Sequence, residues 1–440
     1  MLKKLSLAAL VAMGSMSVAS ATDLSEAIKG VNLKGALRIR LYNEDPDKGD
    51  TYNKWRTNAA FIFAVPVSDE LKVVDRVSTE TYITGKSSAD GGAKAPGGAS
   101  VNSGLADNVL FAKYSKNGLT VLAGKIPVAT PITDTDLFGP PSHGAGVLGT
   151  YKVNDKLTVA AAGIDALVAI DGGALKFKPG ATSGNVYAAA AIYKSNVADV
   201  QAWFFQVNDA IDSDIVLSAD VKALKDAGFK IHVDYAQAEL DDKNIVNTLH
   251  VSNPDKGLNL SKTQTYFNVN ASFKKDALSA KLGYAVTGED GGIVVLDGDS
   301  KLASVAATHQ YTGIANTGDN NMIYAKLGYD VDEKTSVYVA YSGIDKVSHD
   351  KVTTKTTKTT TKVPVLDKDG KKTKNYIETT TTETTSSTTT IKDGSATEIE
   401  IGAKYKYTKK FTLSAYYSMA TKINNGDDNN EARVEAIYKF

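Results

Sequence analysis

The chain has 440 residues, of which 42% are hydrophobic and 23% charged, and its 50 basic side chains are balanced by 50 acidic ones. A net charge of zero argues against a nucleic-acid partner, because nucleic-acid-binding proteins usually carry a basic excess or stripe. The absence of cysteine excludes disulfide bonds, thiol catalysis and cysteine-ligated zinc.

The N-terminal segment has the pattern of a secretory signal peptide. Lys3 and Lys4 precede a short apolar stretch, and residues 19–21 read Ala-Ser-Ala, a small-residue cleavage site. A transmembrane anchor is the alternative, but the apolar stretch is much shorter than the roughly 20 residues that span a bilayer. We predict cleavage after Ala21, and a single mature domain at 22–440.

After a short helical candidate at 23–29, apolar and polar residues alternate with a period of two. In the segment 31–42, Leu33, Leu37 and Ile39 alternate with polar residues, so they share one face of a predicted strand and Lys34, Arg38 and Arg40 share the other. The end of the chain, 432–440, alternates in the same way.

The connections between such segments also alternate, between short polar turns and long loops. The long connections, rich in Gly, Thr and Asp, are 85–108, 129–144, 166–183, 242–262, 288–319 and 347–395. Strands of about ten residues joined by short turns at one rim and long loops at the other are typical of transmembrane β-barrels. We therefore predict an all-β fold, a closed antiparallel barrel of about 18 strands.

A secreted β-sandwich or solenoid has similar alternation, so two further features decide between these folds. The chain ends in Phe440, with Tyr438 two residues before it, which is typical of the C-terminal assembly signal of outer-membrane proteins. Tyrosines near predicted strand ends fit an aromatic girdle; they are Tyr42, Tyr114, Tyr151, Tyr193, Tyr405 and Tyr407. Both features favour a bacterial outer membrane.

Several segments, in this order along the whole chain, resemble the major outer-membrane porin of Campylobacter and related epsilonproteobacteria. They are Leu24-Ser25-Glu26-Ala27-Ile28-Lys29, Gly35-Ala36-Leu37-Arg38, Leu122-Ala123-Gly124-Lys125, Gly184-Asn185-Val186-Tyr187, Glu239-Leu240-Asp241-Asp242-Lys243 and Ala436-Ile437-Tyr438-Lys439-Phe440. The resemblance implies a Gram-negative, homotrimeric, eighteen-stranded, water-filled porin that prefers cations and has an inward-folded third loop.

One segment departs from this family. Residues 353–390 are rich in threonine and contain a central Asp-Gly step. Threonine is β-branched and Asp-Gly is a hairpin-turn signal. We predict that 347–395 is a long extracellular loop or hairpin.

The candidate constriction is the loop 129–144, in which three prolines stiffen the backbone and Asp134 and Asp136 supply charge. Facing it, the strand parity places a basic wall on the pore side, because a charge facing lipid at the midplane costs about 2–4 kcal/mol. This wall consists of Arg38, Arg40 and Arg56, and the further predicted pore-lining residues are Lys34, Arg433 and Glu435. The alternative is that these side chains lie at a rim of the barrel, among the lipid headgroups.

No cofactor is required for diffusion through a pore, although the resemblance implies a structural calcium ion at the constriction. Its ligands would be Asp134, in the third loop, and Asp165, on a nearby strand. Calcium takes six to eight oxygen ligands, so backbone carbonyls and water would have to complete this site.

We predict an outer-membrane general-diffusion porin, not an enzyme, that passes ions and small hydrophilic solutes. Its expected partners are outer-membrane lipid, the outer-membrane assembly machinery and two further copies of the chain. The alternatives are a surface adhesin, in which the threonine-rich segment would bind, and an outer-membrane barrel enzyme. The five scattered histidines offer no local signature of a catalytic set.

Overall fold

The computed structural model describes most of the chain with gaps in the loops. The described residues are 30–47, 51–84, 99–100, 106–135, 137–138, 141–168, 185–241, 262–288, 292, 294–310, 314, 320–346, 349–366, 372–391, 394–421 and 428–440. The predicted signal peptide, Asp136 and the turn at 367–371 lie outside them. No helix in these ranges is long and apolar enough to span a membrane.

The first half of the chain is a meander of antiparallel strands. They are β1 (Asn32–Pro46), β2 (Tyr52–Pro66), β3 (Leu71–Thr84), β4 (Ala99–Ser100), β5 (Ala106–Lys116), β6 (Leu119–Pro127), β7 (His143–Lys152), β8 (Leu157–Val168), β9 (Val186–Lys194), β10 (Ala198–Val207) and β11 (Ile211–Val221). The short strand β4 only extends the pairing of β3.

The second half continues the same meander. Its strands are β12 (Phe229–Leu240), β13 (Thr263–Lys275), β14 (Leu278–Thr287), β15 (Asn320–Asp330), β16 (Thr335–Lys346), β17 (His349–Leu366), β18 (Lys372–Ile391), β19 (Gly394–Lys406), β20 (Phe411–Ala420) and β21 (Asn429–Lys439). A 3-10 turn, Lys225–Ala227, lies before β12.

The sheet closes on itself because its last strand pairs with its first. Arg40 lies opposite Glu435 and Tyr42 opposite Arg433 in the antiparallel β1–β21 ladder. Eighteen strands, all except β4, β17 and β18, form this closed barrel. The predicted fold and strand number are confirmed.

The short turns contain residues that suit tight hairpins. Asn117 and Gly118, between β5 and β6, have φ angles of 49° and 81°, the left-handed conformation that a two-residue turn requires and that Asn-Gly adopts at little cost. Asp276, between β13 and β14, has φ of 51°. These turns form one rim of the barrel, and the long loops form the other.

Apolar side chains cover the outer face. Leu33, Leu37 and Ile39 are 41–50% exposed, whereas Arg38 between them is 4% exposed. Exposed tyrosines lie near the short-turn rim: Tyr114, Tyr151, Tyr193, Tyr405 and Tyr407. The prediction that Tyr42 belongs to the girdle is wrong, since this residue is buried and has the same parity as Arg38 and Arg40 on the inner face.

The threonine-rich segment forms a separate two-stranded sheet. Strands β17 and β18 pair antiparallel from His349 opposite Ile391 to Leu366 opposite Lys372. The strands on either side of this hairpin, β16 and β19, pair directly with each other. The barrel wall is therefore continuous without the hairpin.

Candidate functional site: the barrel interior

The inner face of β1, β2 and β21 carries several of the predicted basic residues. Arg38 donates from Nε to the side-chain oxygen of Asn58 at 3.1 Å. Arg40 forms an ion pair with Glu435 on the opposite residue of β21, and Arg56 forms one with Glu80 on β3. Two of the predicted cations are thus paired with acids, which lowers the positive charge that this wall presents to an ion.

The other two predicted cations differ from each other in their surroundings. The guanidinium carbon of Arg433 lies 4.5 Å from the ring centroid of Tyr416 and 5.6 Å from that of Tyr42. These rings hold the Arg433 side chain against the wall. Lys34, near the short-turn rim, is exposed.

The loop between β6 and β7, which we call the 128–142 loop, follows the fifth strand of the barrel. The Phe138 ring lies 4.2 Å from the guanidinium carbon of Arg38, and the Asn58 side-chain amide donates to the Phe138 carbonyl at 3.4 Å. Within the loop, the Thr133 hydroxyl donates to the Val128 carbonyl at 2.5 Å. The loop therefore contacts side chains of the inner face of β1 and β2.

A second loop, which lies within the long connection 288–319, contacts the first, and the sequence does not predict this contact. In this segment, which we call the 294–310 loop, the backbone amides of Leu296 and Asp297 donate to the Ile132 carbonyl at 2.9 and 3.1 Å. The Ser142 hydroxyl donates to an Asp297 carboxylate oxygen at 2.8 Å. The two loops thus share backbone and side-chain hydrogen bonds.

Apolar side chains also join the two loops to the barrel wall. Ile132, Leu296 and Leu302 are each at most 2% exposed and belong to one hydrophobic cluster with wall residues such as Ile164 and Phe205. Burial of such side chains contributes roughly 1.5–3 kcal/mol each. Packing therefore stabilises both loops against strands on one side of the interior.

The end of the 294–310 loop is attached to the opposite wall by two carboxylates. The Glu398 carboxylate accepts the backbone amides of His309 and Gln310 at 3.1–3.2 Å. The Glu400 carboxylate accepts the amide of His309 at 3.2 Å and lies 2.7 Å from its Nδ1. Both glutamates are fully buried, and both come from β19.

The sequence pattern places these two glutamates on the inner face of the barrel. Glu398 and Glu400 alternate with Ile399 and Ile401 within β19, so the period-2 reading places both acids on the inner face. The pattern does not specify what they bind, because their partners in the 294–310 loop are some 90 residues away in the chain.

The two predicted calcium ligands lie in different surroundings. Asp134 accepts the Thr135 amide at 2.6 Å, and its own amide donates to the Ser142 hydroxyl at 3.1 Å. Asp165 is exposed at a bulge in β8, where the side-chain amide of Asn185 donates to its carboxylate at 3.0 Å. Among the described residues, no group of three or more His, Asp or Glu side chains is arranged to hold a metal ion. The described side chains do not fit a calcium site without further donors.

The C-terminal residue completes the barrel seam. The amide and carbonyl of Phe440 pair with the carbonyl and amide of Gly35 at 3.1 Å, and its ring lies 6.0 Å from that of Phe61. A Cβ on Gly35 would overlap the Phe440 ring, so glycine leaves the space that this ring occupies. Tyr438 stacks beside Phe440 at 5.9 Å.

The whole chain, residues 1–440, matches the family described as Campylobacter major outer membrane protein. The chain belongs to this family. A search of curated proteins returns no match.

Solved structures with the same fold come from Pseudomonas aeruginosa. OccK5 (OpdH) is 10% identical, with a TM-score of 0.62 over 94% of this chain and 98% of that one. OccK9 (OpdG) is 14% identical, with a TM-score of 0.63 over 94% and 99%. OpdK, solved with vanillate, is 13% identical, with a TM-score of 0.60 over 94% and 99%. At these identities the likeness establishes the fold.

Membership of this family and the closed barrel identify an outer-membrane porin, a channel rather than an enzyme. The protein lies in the bacterial outer membrane, with lipid against its apolar outer face and solute passing through its interior.

Proposed function

We propose that this porin is a general-diffusion channel for ions and small hydrophilic solutes, with a preference for cations. The observation that carries the proposal is the polar, charged inner face, against which two loops are fastened. A wet pore selects by its width and by the charges that line it. No substrate-specific chemistry is needed for that function.

The 128–142 loop is proposed as the constriction, with Asp134 and Asp136 as its acidic residues opposite the basic wall of Arg38, Arg40 and Arg56. Its support is the contact of Phe138 with Arg38 and Asn58. Because Arg40 and Arg56 are paired with acids, the net field at this level is less positive than the number of arginines suggests. This pairing favours the passage of cations.

Planar-bilayer recording of the purified protein tests the proposal. We expect stable open channels with a reversal potential in a KCl gradient that reports cation preference. A homotrimer, which the family resemblance supports, should insert as three equal conductance steps. Silent membranes, or a channel that prefers anions, would contradict the corresponding part of the proposal.

Calcium at Asp134 and Asp165 remains a separate proposal that rests on the family resemblance. Isothermal titration of the refolded protein with calcium should show binding that Asp134→Asn with Asp165→Asn weakens. Equal binding by the variant would exclude these two carboxylates as ligands.

A further inference from the structure

A five-residue sequence occurs twice in neighbouring strands of the barrel. Ala-Lys-Leu-Gly-Tyr stands at 280–284 in β14 and again at 325–329 in β15. The antiparallel register places Lys281 directly opposite Lys326. Leu282 and Leu327 are 60% and 49% exposed on the outer face, so both lysines belong to the inner face.

Each lysine lies over a tyrosine ring of the next strand. Lys281 Nζ is 5.0 Å from the ring centroid of Tyr324, and Lys326 Nζ is 3.6 Å from that of Tyr338. The phenol of Tyr324 donates to Asn268 and that of Tyr338 to Glu400, both at 2.7 Å. The rings are therefore fixed and the two ammonium groups are held in place by cation–π contact.

Glycines make room for these rings. Gly283 lies opposite Tyr324 and Gly402 opposite Tyr338 in their ladders. A Cβ at either glycine would overlap the facing tyrosine ring. Each ring thus lies flat across the backbone of its neighbouring strand, which is a reason for a glycine inside a strand.

Two opposed lysines repel each other, and among the described residues no carboxylate lies within ion-pair distance of either one. The acids whose charges they experience are Asp234 and Glu400. Asp234 already binds Ser218, His232 and Asn268, and Glu400 binds His309 and Tyr338. Like charges directly opposite in a sheet are destabilising, and both lysines are half-buried.

We propose that Lys281 and Lys326 form an anion-binding subsite on the pore wall, for small solutes with carboxylate or phosphate groups. An oxyanion between the two ammonium groups would remove their repulsion and accept charge-assisted hydrogen bonds from both. The subsite lies near the short-turn rim, which is the periplasmic rim of a bacterial barrel. It rests on the proposed diffusion function and adds a class of solute to it.

The chain offers a matched control. Lys72 and Lys113 are also directly opposite each other, in β3 and β5, and both are exposed. Neither has a tyrosine ring beneath it among the described contacts. If anion binding depends on Lys281 and Lys326 but not on Lys72 and Lys113, it requires the tyrosine-lined arrangement and not merely two positive charges.

The test is single-channel recording of the full-length protein at low salt, with inorganic phosphate and succinate added in turn from the short-turn side. We expect each anion to reduce the current in a saturable way. In Lys281→Gln with Lys326→Gln the half-saturating concentration should rise roughly tenfold. In Lys72→Gln with Lys113→Gln it should stay within about twofold of the unchanged protein, and Lys281→Arg with Lys326→Arg should retain saturation.

Equal changes in both glutamine variants, or no saturable effect on the unchanged protein, would overturn the subsite. If the first glutamine variant fails to fold, protection of Lys281 and Lys326 from an amine-modifying reagent by phosphate in the unchanged protein gives the second measurement. Absent protection would also overturn the inference. A protein that forms no channels in KCl alone would instead contradict the proposed diffusion function.

Discussion

Arg38 lies between Asn58 and the Phe138 ring, where strand and loop meet. Its burial means that its charge acts through a partly desolvated environment, in which electrostatic interactions exceed those in bulk water. Asp134 lies in the same loop as Phe138, and its carboxylate is the acidic group of the proposed constriction. At the scale of single residues, the balance between these groups sets the proposed ion preference.

Neutralising the loop acids should shift selectivity. In Asp134→Asn with Asp136→Asn, we expect the reversal potential in a salt gradient to move toward anions, because a fixed negative charge is lost at the proposed constriction. The effect should shrink at 1 M salt, where the Debye length is about 3 Å.

Asp332→Asn is the control for this pair. Asp332 lies in the turn between β15 and β16, where the backbone amides of Lys334 and Thr335 lower the pKa of its carboxyl. It is therefore charged at neutral pH, but it lies outside the proposed constriction, and its replacement should leave the reversal potential unchanged. An unchanged potential in the loop variant would show that selectivity arises elsewhere.

Among the elements, the 294–310 loop is held by partners that are distant in the chain. Replacing both carboxylates, in Glu398→Gln with Glu400→Gln, removes the charge that strengthens the hydrogen bonds to His309 and Gln310. Such bonds contribute about 1.5–3 kcal/mol each when one partner is charged. We expect a noisier open channel and closure at lower voltage.

Glu70→Gln serves as the comparison, because Glu70 lies in a short turn and pairs with Lys116 at the exposed surface. Its channel should match that of the unchanged protein. If the Glu398→Gln, Glu400→Gln variant shows no more current noise than the Glu70→Gln variant, packing against Ile132 holds the loop without help from the carboxylates.

The threonine-rich hairpin should be dispensable for the barrel. Deleting 349–391 leaves β16 and β19 paired as they are now, so we expect heat-modifiable folded protein with nearly unchanged conductance. Loss of the folded form would show that the hairpin contributes to the stability of the barrel, contrary to its separation into its own sheet.

At the scale of the whole molecule, the pairing of β21 with β1 closes the barrel. Phe440 pairs with Gly35 and contacts Phe61, and it belongs to the predicted assembly signal. Phe440→Leu keeps the backbone pairing but removes the ring, so we expect less folded barrel in the outer membrane and more unfolded chain in the periplasm.

Phe273→Leu is a suitable comparison for this variant. Phe273 also packs against an aromatic ring, that of Phe229, with the ring centroids 4.8 Å apart, but it lies inside the meander. We expect a normal amount of barrel from it. Equal losses in the two variants would attribute the effect to aromatic packing in general rather than to the chain end.

The sequence by itself determined the barrel, its strand number, its two rims and the direction in which Arg38 and Ile39 point. These features follow from a period of two residues and from turn composition, which are local properties of the chain. Tyr42 was assigned wrongly because its type suggested a girdle, although its parity already placed it inside.

Only the tertiary structure decided which inner charges are paired and which loops touch. The partners Arg40 and Glu435 are 395 residues apart, and the two loops meet through Ser142 and Asp297, 155 residues apart. The opposition of Lys281 and Lys326 likewise depends on the register between strands. Such contacts are set by closure of the barrel and by packing within it, and no local pattern in the sequence specifies them.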